Sequence, residues 1–153
     1  MRNKIHIIEV ENNETQSVDK IIQKIRENKI IYIKNKFFKN EDVLDSIHEN
    51  GPAIILNSSG SSGKPRKCFH HLDNLKLSAA TSGKWLIEQG FELQNCLIFN
   101  TLPLYHISGL MPIFRSNSWG CDCINISPTL IKNTKELLLF TIKSKKKKKK
   151  FIT

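Results

Sequence analysis

The chain has 153 residues, a length typical of one domain, and 39% of its residues are hydrophobic and 25% charged. This composition is close to the average for soluble globular proteins and excludes a fully disordered or collagen-like chain. The net charge is +10, but six of the positive charges form the run Lys145–Lys150, which leaves +4 of the +10 for all other residues. Charge alone therefore says little about a binding partner.

The sequence gives no indication of export, a membrane span or a metal site. Positive residues in Met1–His6 are not followed by a continuous apolar stretch, so no signal peptide is predicted, and no apolar run approaches the roughly 20 residues of a membrane span. Cys68, Cys96, Cys121 and Cys123 are scattered, so we expect reduced thiols and a cytoplasmic location. No second cysteine pair stands at zinc spacing from Cys121 and Cys123.

The predicted elements alternate between helices and strands. Apolar residues at helical spacing predict a first helix with Ser17 as its N-cap; these residues are Val18, Ile21, Ile22 and Ile25. The elements predicted after it are strand Ile30–Ile33, helix Glu41–Glu49 after the cap Asn40, strand Ala53–Asn57, helix Asn74–Gln89, strand Cys96–Phe99, helix Ser108–Trp119, strand Asp122–Ile126 and helix Lys132–Ile142. This alternation predicts an α/β fold in which helices are layered on a largely parallel sheet.

The end of the chain differs in composition from the rest. Residues 143–153 contain the lysine run Lys145–Lys150 and have no apolar face to bury. Because adjacent like charges repel, we expect a disordered, solvated tail. The predicted domain therefore covers residues 1–142.

A segment of ten residues, Ser58–Lys67, directly follows the predicted buried strand Ala53–Asn57 and has the composition of a phosphate-binding loop. Its sequence is Ser-Ser-Gly-Ser-Ser-Gly-Lys-Pro-Arg-Lys. Glycines allow the backbone to approach a ligand closely, and exposed N–H groups, hydroxyls and cations suit phosphate oxygens. A flexible Gly/Ser linker has a similar composition, but this segment is short and has apolar segments on both sides. It is not a Walker A loop or a dinucleotide-binding fingerprint, because its glycine spacing differs and Pro65 follows Lys64.

Two motifs resemble those of the adenylate-forming enzymes. The loop Ser58–Lys67 is similar to the family's phosphate-binding signature, [ST]-S-G-[ST]-[ST]-G-x-P-K-G, and His70–Leu75 resembles its continuation. Leu102–Leu110 resembles the family block L-P-[LM]-[FY]-H-x-x-G-[LM], and the two motifs occur in the family's order. Pro103–Leu110, followed by Arg115 and Ser116, is most similar to the o-succinylbenzoate–CoA ligases of menaquinone and phylloquinone biosynthesis.

The resemblance implies that residues 1–142 are part of the large N-terminal, AMP-binding domain of an acid–CoA ligase. Such enzymes use ATP and Mg²⁺ to join a carboxylic acid to AMP, and then transfer the acyl group to coenzyme A. The resemblance assigns the β- and γ-phosphates to the loop residues Ser58, Ser59, Gly60, Ser61, Ser62, Gly63 and Lys64, with Arg66 in place of the family lysine. It places His106 beside the acyl pocket and the α-phosphate, although an isolated histidine there would more often be an ordinary packed or exposed imidazole.

The sequence also departs from the family pattern. Lys67 stands where the family has glycine, so we expect a cost if this position requires a positive φ. The later family motifs that supply an Mg²⁺ ligand, the ribose contact and the catalytic lysine of the small C-terminal domain are not in the sequence. We therefore expect a truncated chain that is inactive alone, and the lysine run before Phe151 is consistent with a frame slip in a poly-A tract.

The sequence is also compatible with two other functions. One is a non-catalytic nucleotide-binding module that keeps the loop. The other is a small basic nucleic-acid-binding protein, although the charge is concentrated at one end and lacks interleaved aromatic side chains for base stacking. We expect a small carboxylic acid as substrate, no specific nucleic acid and no membrane span.

Overall fold

Helices and strands alternate along the chain in the computed structural model, which describes residues 4–11, 15–37, 51–58, 65–126, 130 and 132–149. The elements are β1 (Ile5–Val10), α1 (Thr15–Arg26), β2 (Ile30–Asn35), β3 (Ala53–Asn57), β4 (Lys67–His71), α2 (Leu72–Glu88), a short 3-10 helix (Leu93–Asn95), β5 (Leu97–Asn100), α3 (Ile107–Trp119), β6 (Asp122–Asn125) and α4 (Thr134–Lys149). The predicted α/β class is confirmed.

The strands of the described residues form two sheets. In the first sheet, with the order β1-β2-β3-β4, β1 pairs with β2 and β2 with β3 in parallel, whereas β3 and β4 are antiparallel. In the second sheet, β5 and β6 pair in parallel and α3 connects them. The largely parallel arrangement agrees with the prediction, but the antiparallel strand β4 and the separate second sheet were not predicted.

Strand β2 lies at the centre of the packing because both of its faces are buried. Successive side chains of a strand point to opposite faces. Ile31 and Ile33 belong to the main hydrophobic cluster, which includes residues of α1, α2 and α3. Ile30 and Tyr32 belong to a second cluster on the other face. This explains why β2 has a continuous apolar sequence rather than an alternating one.

Helices α1 and α2 begin earlier in the sequence than predicted. Helix α1 begins at Thr15, so Ser17 lies inside its first turn, only 6% exposed, and is not the N-cap. Helix α2 begins at Leu72, whose side chain is fully buried and whose backbone N–H donates to the carbonyl of Pro52 at 3.1 Å. Burial of Leu72 against the core extends the helix beyond its predicted start at Asn74. The predicted helix Glu41–Glu49 lies outside the described residues.

Two strands, β1 and β4, were not predicted, and both have partly polar sequences. Strand β1 has exposed or half-buried residues at four of its six positions, and Ile8 and Val10 are buried. Strand β4 is half-buried along its whole length and includes Lys67, His70 and His71. Strand β4 carries no strong apolar signal, so its pairing with β3 determines its structure. Strand β1 contains three isoleucines and a valine, a composition that indicates a strand and that the prediction missed.

Helix α4 extends further than predicted. It continues to Lys149, so the boundary proposed at residue 142 falls within a helix, and the structure differs from the expected disordered segment for residues 143–149. Lysine is a good helix former, and positive charge is favourable at the C-terminal end of a helix. None of the helices in the described ranges combines the length and the apolar character that crossing a membrane requires.

We expect the free energy of unfolding to decrease as the pH falls below about 6.5, the ordinary pKa of histidine. Burial lowers the pKa of His70 on β4, and burial together with Lys24 lowers the pKa of His6 on β1. Below pH 6.5 the unfolded chain therefore binds more protons than the folded chain, and stability is lost until the pH passes the folded-state pKa values.

Urea titrations at a series of pH values measure this effect. The His70→Gln variant should show a weaker pH dependence, and the remaining slope should decrease further when His6→Gln is added. An unchanged slope in the double variant would contradict the assignment to these two histidines.

Candidate active site

The antiparallel pairing of β3 and β4 holds together the two ends of the predicted phosphate-binding loop. The ladder runs from Ala53 opposite His71 to Asn57 opposite Lys67. One step further, the backbone N–H of Ser58 donates to the carbonyl of Arg66 at 2.8 Å. The N–H of Arg66 donates to Ser58 Oγ at 3.3 Å. The segment is thus the connection of a β-hairpin, with its two ends tied to each other, rather than a linker between separate units.

The structure describes three of the predicted site residues, namely Ser58, Arg66 and His106. Ser58 and Arg66 lie at the base of the loop, and Arg66 is exposed there. The other predicted phosphate-binding residues are Ser59, Gly60, Ser61, Ser62, Gly63 and Lys64, which lie outside the described residues. Their assignment to phosphate oxygens stays a prediction.

Three side chains, those of Tyr32, Asn57 and Lys67, interact at the base of the loop. The sequence did not predict this role for them. Asn57 Nδ2 donates to Tyr32 Oη at 2.9 Å. The ammonium group of Lys67 lies 5.6 Å from the centre of the Tyr32 ring, within the range of a cation–π contact. Tyr32 is 1% exposed, so the loop base is attached to a side chain that is fixed in the sheet.

The expected backbone cost at Lys67 does not arise. Lys67 is the first residue of β4, and Asn28 is the residue with a positive φ among the described residues other than glycine. An extended backbone accommodates any side chain. The condition for the expected cost, a positive φ at Lys67, is therefore not met.

The second motif forms the connection between β5 and α3, and it places His106 at the start of the helix. His106 is the N-cap residue of α3, with an extended backbone at φ −115° and ψ 147°. Its carbonyl accepts hydrogen bonds from the N–H groups of Gly109 and Leu110, each at 3.0 Å. The imidazole is exposed and its ring centre lies 4.7 Å from that of Tyr105. This arrangement presents the imidazole to solvent while the backbone is held by the helix.

Gly109 is required where α3 turns back against its own entry segment. A Cβ atom at this position would overlap the carbonyl oxygens of Pro103 and Leu102. Gly109 is buried in the first turn of α3. The glycine of the motif thus has a packing reason, which is the close approach of the helix to the preceding backbone.

Asn100, at the end of β5, connects the second motif to strands β5 and β6 and was not recognised from the sequence. Its side chain is 1% exposed. Asn100 Nδ2 donates to the carbonyl of Gly109 at 2.7 Å and to Asn125 Oδ1 at 2.9 Å. Its Oδ1 accepts from the N–H of Leu102 at 3.3 Å. One buried amide therefore fixes the positions of β5, the following turn, α3 and β6.

Both motifs are anchored in the same hydrophobic cluster. Leu56, near the end of β3, and Leu104, in the second motif, are each at most 2% exposed and belong to the main cluster. Tyr105, next to His106, packs against this cluster. Among the described residues, no hydrogen bond or ion pair joins Ser58 or Arg66 to His106. The core therefore holds the two motifs, and the catalytic and binding roles of their residues remain predictions.

The described residues contain no group of three His, Cys, Asp or Glu side chains that could hold a metal ion. The Cys121 and Cys123 pair has no third ligand in this part of the chain. Burial, with a smaller effect from Cys121, raises the pKa of the Cys123 thiol to about 11. Cys123 is therefore protonated near neutral pH, unlike the thiolate that binds metals.

Comparison with known proteins gives one relative among curated sequences. No protein-family model matches the chain. Over 81 residues the chain is 38% identical to the 2-succinylbenzoate–CoA ligase of Bacillus licheniformis. The match covers 53% of this chain and 16% of that ligase, so the chain spans a small part of its relative.

Solved structures give similarities of lower identity. The o-succinylbenzoate CoA synthetase of Bacillus subtilis, in complex with the acyl-adenylate intermediate, superposes with a TM-score of 0.49 at 17% identity, covering 81% of this chain and 43% of that chain. The same enzyme in complex with ATP and magnesium ion gives a TM-score of 0.47 at 18% identity, covering 81% of this chain and 44% of that chain.

The sequence match confirms the predicted resemblance to the adenylate-forming enzymes for the part of the chain that it covers. The matched part of the chain is therefore similar to part of an enzyme. The matched relative is an acid–CoA ligase that is named for 2-succinylbenzoate.

We expect the Asn100→Ala variant to be less stable than the parent chain by about 1–3 kcal/mol, because it leaves buried hydrogen-bonding groups without their partner. Urea unfolding followed by circular dichroism measures the difference. Asn95→Ala is the matched control, since the Asn95 amide bonds to Glu92 at an exposed position. Equal stability of the two variants would show that the buried amide contributes nothing specific.

We expect the Gly109→Ala variant to lose the close approach of α3 to Pro103, because the added methyl group has no space. A loss of stability larger than about 1 kcal/mol is expected, since buried backbone must move to accept the methyl group. Thermal unfolding is the measurement, and Ser108→Ala at the neighbouring exposed position is the control. A Gly109→Ala variant that unfolds at the same temperature as the control would contradict the packing argument.

Proposed function

We propose that the chain is part of an ATP-dependent acid–CoA ligase, in which residues 1–142 contribute to the AMP-binding domain. The reaction would form an acyl-adenylate and pyrophosphate from ATP and a carboxylic acid, and then a thioester with coenzyme A. We further propose o-succinylbenzoate as the acid, and hence a role in menaquinone or phylloquinone synthesis. The observation that carries the proposal is the 38% identity to the Bacillus licheniformis ligase, together with the two motifs in the family's order.

The closed base of the hairpin supports a role for the loop in phosphate binding. In the proposal, the hydroxyl group of Ser58, the hydroxyl and N–H groups of residues 59–64 and the guanidinium of Arg66 hold the β- and γ-phosphates. The Ser58–Arg66 hydrogen bonds and the anchored Tyr32 limit the conformations of the loop ends. Loop ends that are held in place before ATP arrives lose less conformational entropy on binding. Arg66 is exposed and can offer two parallel N–H donors to phosphate oxygens.

The proposed role of His106 is to orient the carboxylate for attack on the α-phosphorus. Its backbone is fixed as the N-cap of α3, and its ring lies against Tyr105. Such positioning lowers the entropic part of the barrier. A neutral or charged imidazole can donate a hydrogen bond to a carboxylate or phosphate oxygen.

The described residues do not fit a protein-bound Mg²⁺ ion, because they contain no cluster of suitable acidic ligands. In the proposal, Mg²⁺ therefore reaches the loop as the complex with ATP, coordinated by the phosphates. Magnesium commonly retains waters and substrate phosphates as ligands. Coenzyme A is assigned from the family reaction.

The match covers 16% of the length of the curated relative. We propose that the chain binds MgATP through the loop and does not form the adenylate alone. MgATP binding without adenylate formation is expected both for a non-catalytic nucleotide-binding module and for a ligase fragment. It is not expected for a nucleic-acid-binding protein.

We expect the Lys64→Ala and Arg66→Ala variants to bind MgATP at least about tenfold more weakly than the parent chain, because each loses a charge-assisted contact to phosphate. Isothermal titration calorimetry measures the affinity. Lys20→Ala, at an exposed position of α1, is the matched control and should bind like the parent.

Pyrophosphate exchange distinguishes binding from catalysis. With o-succinylbenzoate and ATP, the chain is expected to show no exchange of labelled pyrophosphate above background. Measurable exchange would contradict the proposed inactivity of the chain alone.

ATP binding that is equal in all four proteins would contradict the role of the loop, and binding of nucleic acid that survives removal of Lys145–Lys150 would favour the alternative function.

A further inference from the structure

Residues of helices α1, α2 and α3 line an open groove of about 610 Å³. This volume lies within the range of small-molecule sites. None of the described site residues, Ser58, Arg66 and His106, lines it. The residues that line it include Ile22, Ile25, Arg26, Lys76, Ala80 and Phe114.

The floor of the groove is apolar and fixed. Ile113 and Phe114 of α3 are each 6% exposed and belong to the main hydrophobic cluster. Ile22 and Ile25 of α1 pack against the same cluster. The lining also contains the small residue Ala80, which leaves space above this floor. An apolar ligand in the groove would therefore meet a rigid apolar surface, which favours burial of its hydrocarbon part.

The charges of the groove have one sign. Arg26 ends α1 and Lys76 lies on α2, and none of the lining residues is Asp or Glu. Lys76 lies 3.6 Å from Asp73, but both side chains are largely exposed, so this pair contributes little. In the described parts of the chain, Lys24 pairs with Glu27 at 2.7 Å, whereas no ion pair includes Arg26. The groove thus combines an apolar floor with a cationic rim.

We propose that this groove binds a small amphipathic carboxylate, with its apolar chain or ring on the α1–α3 floor and its carboxylate at Arg26 and Lys76. Guanidinium groups bind carboxylates through two parallel hydrogen bonds, and desolvation by the apolar floor strengthens this pairing. Since neither Ser58 nor Arg66, the described ends of the loop, lines the groove, we expect ligand binding here to require neither ATP nor the proposed reaction.

The first test compares decanoate with decanol, which have the same apolar chain and differ in charge. The 153-residue chain should bind decanoate at least about tenfold more tightly, because the alcohol lacks the charged contact. The Arg26→Gln/Lys76→Gln double variant should bind the two compounds equally, and Lys20→Gln should behave like the parent. Ala80→Leu, at an exposed position of α2, should weaken decanoate binding because its larger side chain fills the groove.

The second test locates the ligand in the unmodified protein. Cys121 lines the groove, whereas Cys96 does not. Decanoate should slow the reaction of iodoacetamide with Cys121 and leave Cys96 unaffected, as measured by peptide mass spectrometry. Equal affinities for decanoate and decanol, or the absence of selective protection of Cys121, would overturn the proposal whatever the outcome of the ATP experiments.

Discussion

The antiparallel pairing of β3 and β4 is the interaction on which the candidate site depends. It brings Ser58 next to Arg66, the two described ends of the loop. Asn57 and Lys67, the last pair of the ladder, both contact Tyr32, which is buried in the neighbouring strand β2. The buried Tyr32 side chain therefore connects the base of the loop to the parallel sheet.

The second motif is held by a different kind of constraint. A buried amide, that of Asn100, and a position without a side chain, Gly109, set the path from β5 into α3. The hydrophobic cluster then fixes Leu104. Together these contacts leave the imidazole of His106 at the surface on a backbone that cannot shift freely. Buried hydrogen bonds and close packing thus both determine the position of the exposed His106.

Sequence reasoning predicted the α/β class, the strand Ala53–Asn57 and α3 because these segments have strong apolar patterns. It failed for β4, since Lys67, His70 and His71 carry no strand signal and the segment is ordered by its pairing with β3. It failed for Asn100 because a single asparagine at a strand end is uninformative until its buried partners are known. The resemblance identified Ser58, Arg66 and His106, but the supporting role of Tyr32 depends on contacts across strands.

The hairpin also differs from the other strand pairs in how far apart its partners lie along the chain. Ser58 and Arg66 are separated by eight positions, whereas the parallel partners Ile5 and Ile30 must first be joined through α1. Closing a short loop costs less chain entropy than forming a long-range pair, and local contacts form faster. During folding, the base of the loop can therefore assemble early and act as a local nucleus, onto which the slower parallel strands are added.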